Sequence, residues 1–154
     1  MSGEPRVFAG LEELAAAQGE HLGYSDWRPV TQHQVDLFAR ATADDQWIHV
    51  DPDRAAHGPF GGTIAHGFLT LALIPHLGQQ VFRLDGVSMR VNYGTNKVRF
   101  PAPVPVGSRV RAGVELVSVE PAAQGRQAVF RYTVECDRAD KPACVAETVV
   151  LLIP

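Results

Sequence analysis

Cysteines, clusters of basic residues and long apolar runs are all scarce in this sequence of 154 residues. Two cysteines, Cys136 and Cys144, are too few for a disulfide framework, and both fall in strand-like segments where we interpret them as small apolar residues. The formal net charge is -3 and no Lys/Arg block occurs, which argues against nucleic acid or an anionic membrane as a partner. We therefore expect a protein of a reducing, cytoplasmic compartment.

No segment has the length and composition of a membrane span. The most apolar stretch, residues 64–77, is too short and contains two histidines and a proline. Residues 1–20 contain acids and lack a long apolar run, so we expect no secretory signal. The length suits one domain over residues 1–154, with 1–6 as a loose tail, and the 45% hydrophobic content allows a substantial core.

Apolar periodicity predicts helices in the first half of the chain. A short helical pattern covers residues 7–18, and a Thr-x-x-Gln capping box precedes an amphipathic helix over 32–42. Residues 44–49 are too irregular for a helix or a strand. An Asp-Pro pair starts a short helix over 51–56, and the nearly continuous apolar stretch 66–77 predicts a buried helix.

The second half alternates instead with a period of two. It predicts short strands at 86–91 and 97–100, and longer ones at 109–119, 127–137 and 143–152. Helices followed by antiparallel strands make an α+β fold, in which a sheet must cover the apolar helix. A strongly curved sheet wrapped around one buried helix satisfies both halves of the pattern.

A carboxylate and an imidazole, Asp44 and His49, lie five residues apart in the irregular segment. Loops often display catalytic groups, and an acid beside a histidine can bind a water molecule and exchange protons with it. Alternatively, the acids only cap neighbouring helices and His49 fills space. We adopt that alternative for Asp51, which precedes a proline, and keep Asp44 and His49 as a candidate acid/base pair.

A glycine-rich segment, residues 61–67, leads into the predicted buried helix. Glycine lets the backbone approach a ligand closely, and the free N–H groups at a helix start could stabilise a developing enolate. The alternative is a plain tight turn in which His66 is a hydrogen-bonded turn residue. A ligand site and a turn both remain open for this segment.

Amides, a tyrosine and two cations cluster between residues 92 and 100. They could line a polar pocket or meet a phosphate-bearing ligand, although a solvated turn explains them equally well. His57, His66 and His76 match no metal-binding motif, so we expect no metal.

Two of these motifs in register resemble the MaoC-like dehydratases, the family of the (R)-specific enoyl-CoA hydratases. Their pattern is Asp-x-Asn-Pro-x-His-x-Asp-Pro, followed by Ile/Val-x-His-Gly whose glycine lies eighteen residues after the histidine. Here Asp44, His49 and the Asp51-Pro52 pair match the first part, and Gly67 lies eighteen residues after His49. The segment 98–108 also matches, so the resemblance covers residues 31–108 closely and the final strands by pattern.

The resemblance implies a hotdog fold, an antiparallel sheet around a long central helix, in a homodimer. It implies hydration of a trans-2-enoyl thioester of CoA or an acyl carrier to the (R)-3-hydroxyacyl thioester, or the reverse, with no cofactor because CoA is part of the substrate. Asp44 and His49 would activate water, and the Gly67 N–H would form the oxyanion hole. Residues expected to contact substrate are Gln46, Trp47, Gly62, Thr63, Ile64, Ala65, His66, Asn92, Tyr93 and Asn96.

Gln46 and Trp47 depart from the Asn and Pro of the family pattern. Together with the segment 92–100 they resemble the branch related to nodulation protein N. Asp45 is the fallback if Asp44 is not the acting acid. Two rival functions are an acyl-CoA thioesterase, which the absence of Asp and Glu from residues 63–81 disfavours, and a catalytically silent acyl-thioester-binding protein or subunit.

Overall fold

The computed structural model describes residues 3–154, with most helices in the first half and the long strands in the second. In chain order the elements are β1 (Arg6–Phe8), α1 (Leu11–Ala16), β2 (His21–Tyr24), β3 (Arg28–Pro29), α2 (Gln32–Thr42), α3 (Trp47–Val50), α4 (Pro52–Ala56), α5 (Gly67–Ala72), α6 (Ile74–Gln79), β4 (Phe82–Leu84), β5 (Met89–Arg99), β6 (Arg109–Ala122), β7 (Gly125–Cys136) and β8 (Cys144–Ile153). This order confirms the predicted α+β fold.

Six strands form an antiparallel sheet in the order β2, β6, β7, β8, β5, with β3 also paired to β6. β1 and β4 make a separate parallel pair. Register shifts interrupt the ladders between Leu116 and Ser118 of β6 and at two points of β5. Because such irregularities bend a strand and increase its twist, they allow the sheet to curve.

The predicted alternation places one face of the sheet in the core. The inward residues of β6 are fully buried and share one apolar cluster with inward residues of β7 and β8 and with Leu69, Ile74 and Leu77 of α5 and α6. The inward residues of β6 are Val110, Ala112, Val114 and Leu116. A curved antiparallel sheet therefore covers an apolar helical segment, which is the hotdog arrangement.

The central helix differs from the single buried helix that was predicted. It consists of α5 and α6, joined at Leu73, because Pro75 has no N–H to continue the hydrogen-bond ladder. Its first turn is also not fully buried, since Phe68 is 67% exposed. No helix within residues 3–154 is both long and apolar enough to cross a membrane.

Several local predictions also need correction. Residues 47–50 form one helical turn inside the segment predicted to be irregular, and the two short strands predicted over 86–100 are one strand, β5. Arg6, which the sequence placed in a loose tail, lies in β1 and pairs with Phe82 of β4. Its N–H donates to the Val81 carbonyl at 3.0 Å. Residues 1–2 of that tail lie outside the described residues.

The helix termini predicted from capping chemistry are confirmed. The Thr31 hydroxyl accepts a hydrogen bond from the Gln34 N–H while the Gln34 side chain accepts one from the Thr31 N–H. Asp51 caps α4 by accepting from the Arg54 N–H at 3.0 Å. These caps fix the ends of the helices on either side of the candidate acid/base segment.

Candidate active site

Asp44, His49 and His66 lie together where α3 and the start of α5 meet. Side-chain ligand atoms of the three residues all lie within 4.8 Å of one another. His49 and His66 are buried, whereas Asp44 is exposed. The fold thus brings two motifs that are separated in sequence into one group with an open side at the carboxylate.

His49 is held by a single well-defined hydrogen bond. Its Nδ1 lies 2.7 Å from the Ile64 carbonyl oxygen, and the side chain is 7% exposed. A carbonyl oxygen can only accept, so Nδ1 must carry the proton. In neutral His49 the lone pair is therefore on Nε2, which is the atom that could take a proton from water.

His66 supports both members of the candidate pair. Its Nε2 lies 2.8 Å from the backbone oxygen of Asp44, and by the same reasoning Nε2 carries the proton. Its ring stacks on that of His49 with centroids 3.9 Å apart, and Phe38 packs against it at 4.8 Å. Buried Nδ1 of His66 has no hydrogen-bond partner among the described residues.

Asp44 lies directly after the C-terminal end of helix α2. Ala43 adopts a left-handed conformation with φ 59°, which ends the helix and turns the chain away from its axis. The Asp44 N–H donates to the Thr42 hydroxyl at 3.4 Å. Asp45 is also exposed, so burial does not separate the two acids, but it is Asp44 that groups with the histidines.

The turn that carries Ile64 is fixed on both sides by the backbone. The Ile64 N–H donates to the Ile48 carbonyl at 3.0 Å, and the Ala65 N–H donates to the Val104 carbonyl at 2.8 Å. Since Ile64 in turn accepts from His49, the imidazole is held relative to both α3 and the following loop. Backbone hydrogen bonds therefore anchor this segment on both sides.

Gln32 is a supporting residue that the sequence did not reveal. Its Nε2 donates to the His49 carbonyl at 2.7 Å, and its Oε1 accepts from the Thr63 hydroxyl at 2.6 Å. One side chain of α2 thus ties the two active-site segments together. A glutamine in the first turn of an amphipathic helix has no sequence signature for this role.

Gly67 is the first residue of α5, where N–H groups have no acceptor within the helix. A Cβ placed on Gly67 would lie 3.0–3.1 Å from atoms of the Phe100 ring, which packs edge-on against Phe68. The glycine therefore lets the Phe100 ring pack closely against the start of α5. His66 precedes Gly67 directly, so this N–H is adjacent in the chain to the histidine pair.

The remaining predicted contacts fall into two groups. Gln46 is exposed and precedes α3, Gly62 is half-buried, and Thr63 is buried and bound to Gln32. Trp47 is half-buried, with the Arg54 guanidinium 4.3 Å above its ring.

The second group lies on β5. Asn92 and Tyr93 are exposed and line a cavity of about 610 Å³ between α5–α6 and the sheet. Asn96 is not among the residues that line this cavity, and its amide donates to the Glu147 carboxylate at 3.5 Å. The structure therefore separates Asn96 from the other two β5 residues.

The close approach of an acid and two histidines also raises the question of a metal. The imidazole rings of His49 and His66 are stacked, with an interplanar angle of 23° and centroids 3.9 Å apart. An ion in the plane of one ring therefore lies well out of the plane of the other. A tetrahedral zinc site needs both lone pairs to converge on one point. The geometry suits proton transfer better than metal binding.

The MaoC like domain matches residues 13–137, well over half of the chain. The chain belongs to the MaoC-like dehydratase family. Its relative from Mycobacterium tuberculosis, named 3-hydroxyacyl-thioester dehydratase Z, is 60% identical over 146 residues, covering 94% of this chain and 97% of that protein.

Two further relatives define the resemblance more closely. Nodulation protein N from Rhizobium meliloti is 42% identical over 146 residues, covering 92% of this chain and 89% of that protein. The solved structure of the (R)-hydratase from A. caviae involved in PHA biosynthesis has a TM-score of 0.71 and 26% identity, covering 89% of this chain and 96% of that one. This MaoC-like chain is a hydro-lyase, a hydratase or dehydratase.

Proposed function

We propose that this protein adds water to a trans-2-enoyl thioester to give the (R)-3-hydroxyacyl thioester, or catalyses the reverse, with Asp44 and His49 as the acid/base pair. The observation that carries the proposal is the 2.7 Å contact between His49 Nδ1 and the Ile64 carbonyl. It leaves the Nε2 lone pair free, beside a carboxylate that can accept a second hydrogen bond from the same water.

The chemistry then balances as an addition across a double bond. One water O–H bond breaks as oxygen forms a bond to C3, and the proton passes to the Asp44–His49 pair. The C2=C3 π electrons move toward the thioester carbonyl, and a proton from the pair forms the new C2–H bond. Both groups end as they began, so no cofactor is needed, and CoA enters only as part of the substrate.

The Gly67 N–H is assigned to the thioester oxygen, where negative charge develops. An N–H donor of this kind contributes roughly 10²–10³-fold to rate, and acid–base help roughly 10²–10⁴-fold. His66 is assigned a positioning role because it bonds the Asp44 backbone and stacks on His49. Gln46, Trp47 and the segment 62–65 would border the reacting end of the substrate.

The acyl group is assigned to the cavity beneath α5 and α6, which Asn92 and Tyr93 border. β5 lies at one edge of the sheet and exposes Met89, Val91 and Tyr93, so we also propose that a homodimer covers this edge. Two buried free cysteines fit a reducing, cytoplasmic setting. The carrier, CoA or an acyl carrier protein, follows from neither feature.

The test is loss of the enoyl-thioester absorbance band with crotonyl-CoA. Wild type should remove the band, and Asp44→Asn should be slower by about 10²-fold or more because its side chain can no longer take a proton. Asp45→Asn is the matched control, an equally exposed neighbouring acid that should retain activity.

Equal loss in both Asp variants would transfer the role to the acidic pair as a whole, and an active Asp44→Asn would remove Asp44 from the mechanism. Release of free thiol in place of band loss alone would indicate a thioesterase. Binding of the thioester without turnover, unaffected by Asp44→Asn, would indicate the silent binding role.

A further inference from the structure

The acyl cavity contains hydrogen-bond donors that an all-hydrocarbon chain would leave unused, among them the Tyr132 hydroxyl and the Arg90 guanidinium. Its walls are mostly apolar and come from α5, α6 and the strands β4, β5, β7 and β8. Arg90 is the only charged residue among those that line it, and no carboxylate does so. The polar content thus favours an acceptor or an anion over a cation.

Tyr132 places a phenol against this cavity. The residue is only 5% exposed, and its hydroxyl makes no hydrogen bond with any other described residue. Burial raises the pKa of Tyr132 well above its ordinary value, so the group stays a neutral O–H donor. The hydroxyl is therefore a donor that a molecule bound in the cavity can use.

The surroundings hold this hydroxyl in place. A Cβ on Gly78 of α6 would come within 2.6 Å of the Tyr132 Oη, so the phenol fits under the helix only because residue 78 is glycine. Phe130 packs beside it, with ring centroids 6.4 Å apart. The donor is therefore fixed rather than free to turn toward solvent.

Arg90 supplies the positive charge. Its Nη2 donates to the Leu84 carbonyl at 3.3 Å, and its guanidinium lies 5.7 Å from the centroid of the Phe82 ring. Within residues 3–154 it forms no salt bridge, so most of its five N–H donors remain available. A guanidinium with free donors recognises carboxylates well.

The position of these donors sets the length of the ligand. Leu71, the first residue of α5 to line the cavity, is four residues beyond Gly67, about 6 Å along a helix. Gly78, next to the Tyr132 hydroxyl, lies on the following helix α6, eleven residues beyond Gly67 and at most about 17 Å away at the same rise. An oxygen bound there is remote from the reacting carbons.

We infer that the cavity selects a long acyl chain that carries a second oxygen acceptor, above all a carboxylate, at the end remote from the thioester. Tyr132 would donate its O–H and Arg90 its guanidinium to that group. The inference rests on the proposed function, since it assigns the substrate class of the same site.

The experiment compares two trans-2-enoyl-CoA thioesters of equal long chain length, one ending in a methyl group and one in a carboxylate. Wild type should favour the carboxylate by about 10-fold or more in kcat/KM, as expected for a hydrogen bond to a charged group. The dissociation constants of the protein for the same two thioesters are also measured. They show a preference for the carboxylate even if neither thioester is turned over.

Tyr132→Phe keeps the ring and removes only the hydroxyl, so it should erase most of the preference. Arg90→Met should lower it by removing the charge. Tyr24→Phe is the matched control, an exposed tyrosine outside the cavity lining, and should keep the wild-type ratio. Crotonyl-CoA hydration by each variant separates loss of fold from loss of recognition.

Equal kcat/KM and equal affinity for the two thioesters in wild type would overturn the inference. So would a preference that Tyr132→Phe leaves intact. Failure of the proposed function has a different signature, because then no enoyl thioester, crotonyl-CoA included, is hydrated while the binding preference can still be measured.

Discussion

The segment from Asp44 to Gly67 and the strands β6 to β8 are built on different principles. In the strands, backbone groups bond to other backbone groups over long ladders, and the inward side chains supply apolar volume. In the site segment, three backbone carbonyls, those of Asp44, His49 and Ile64, accept from side chains. Side chains thus fill the core in one region and hold the backbone in the other.

This difference predicts how the two regions respond to substitution. Removing an apolar side chain from the sheet leaves a cavity and lowers stability without touching the reacting groups. Removing a polar side chain from the site segment changes the geometry around the Asp44 carboxylate and therefore acts on the candidate reacting groups directly. We therefore expect stability effects in the sheet and activity effects in the segment.

The largest stability effect should come from the sheet. Leu116 of β6 is fully buried in the shared core, so Leu116→Ala should lower the free energy of unfolding by about 2–5 kcal/mol. Urea unfolding followed by circular dichroism measures this, and kcat per folded molecule should stay near wild type. A large drop in kcat with unchanged stability would mean that the two regions are not separable in this way.

A smaller effect, on activity, should come from His66 in the site segment. His66→Phe keeps a ring against His49 and Phe38 but loses the N–H that bonds the Asp44 carbonyl. We expect kcat to fall roughly 10- to 100-fold through misplacement of Asp44, with little change in KM or melting temperature.

His66→Gln is the conservative comparison, because an amide N–H can reach the place of Nε2 and should restore part of kcat. Exposed His57→Gln serves as the control for removing a histidine. If His66→Phe unfolded the protein, or if both variants were fully active, the positioning role would fail.

The smallest effect concerns pH and the sheet again. Burial raises the pKa of the Cys144 thiol to about 11 from an ordinary value of 9.0. The contribution of the protonated Cys144 thiol to folding stability is fully present below pH 9 and is lost as pH rises through 11. The reason is that the thiol ionises at lower pH in the unfolded chain than in the folded protein. Melting temperature should fall over that window, and less steeply in Cys144→Ala. Identical slopes would show that other groups dominate.

Much of the fold could be predicted because its elements have local signatures. The capping box at Thr31 and the apolar face that follows it specify α2, and the alternation in β6 and β7 specifies which residues are buried. The resemblance of the Asp44, His49 and Gly67 motifs to those of MaoC-like dehydratases likewise predicted the candidate site. Repetition with a fixed period, or a motif with fixed spacing, survives in the sequence without any tertiary information.

Other features depended on contacts between distant residues. Pro75 predicts an irregular end of the central helix, whereas the structure continues past it as α6 to Gln79, with Ile74 and Leu77 buried in the core. The pairing of β5 with β8 converts two predicted strands and an apparent turn into one edge strand.

The sequence by itself determined the α+β class, the faces of the strands, the helix caps and the residues that could act as acid, base and oxyanion donor. Tertiary structure alone decided which nitrogen of His49 is free, that His66 holds Asp44, that Gln32 ties α2 to both segments, and that Tyr132 and Arg90 border one cavity. The physical reason is that a local pattern fixes which residues share a face. A hydrogen bond between residues far apart in the chain depends instead on how the packed elements meet.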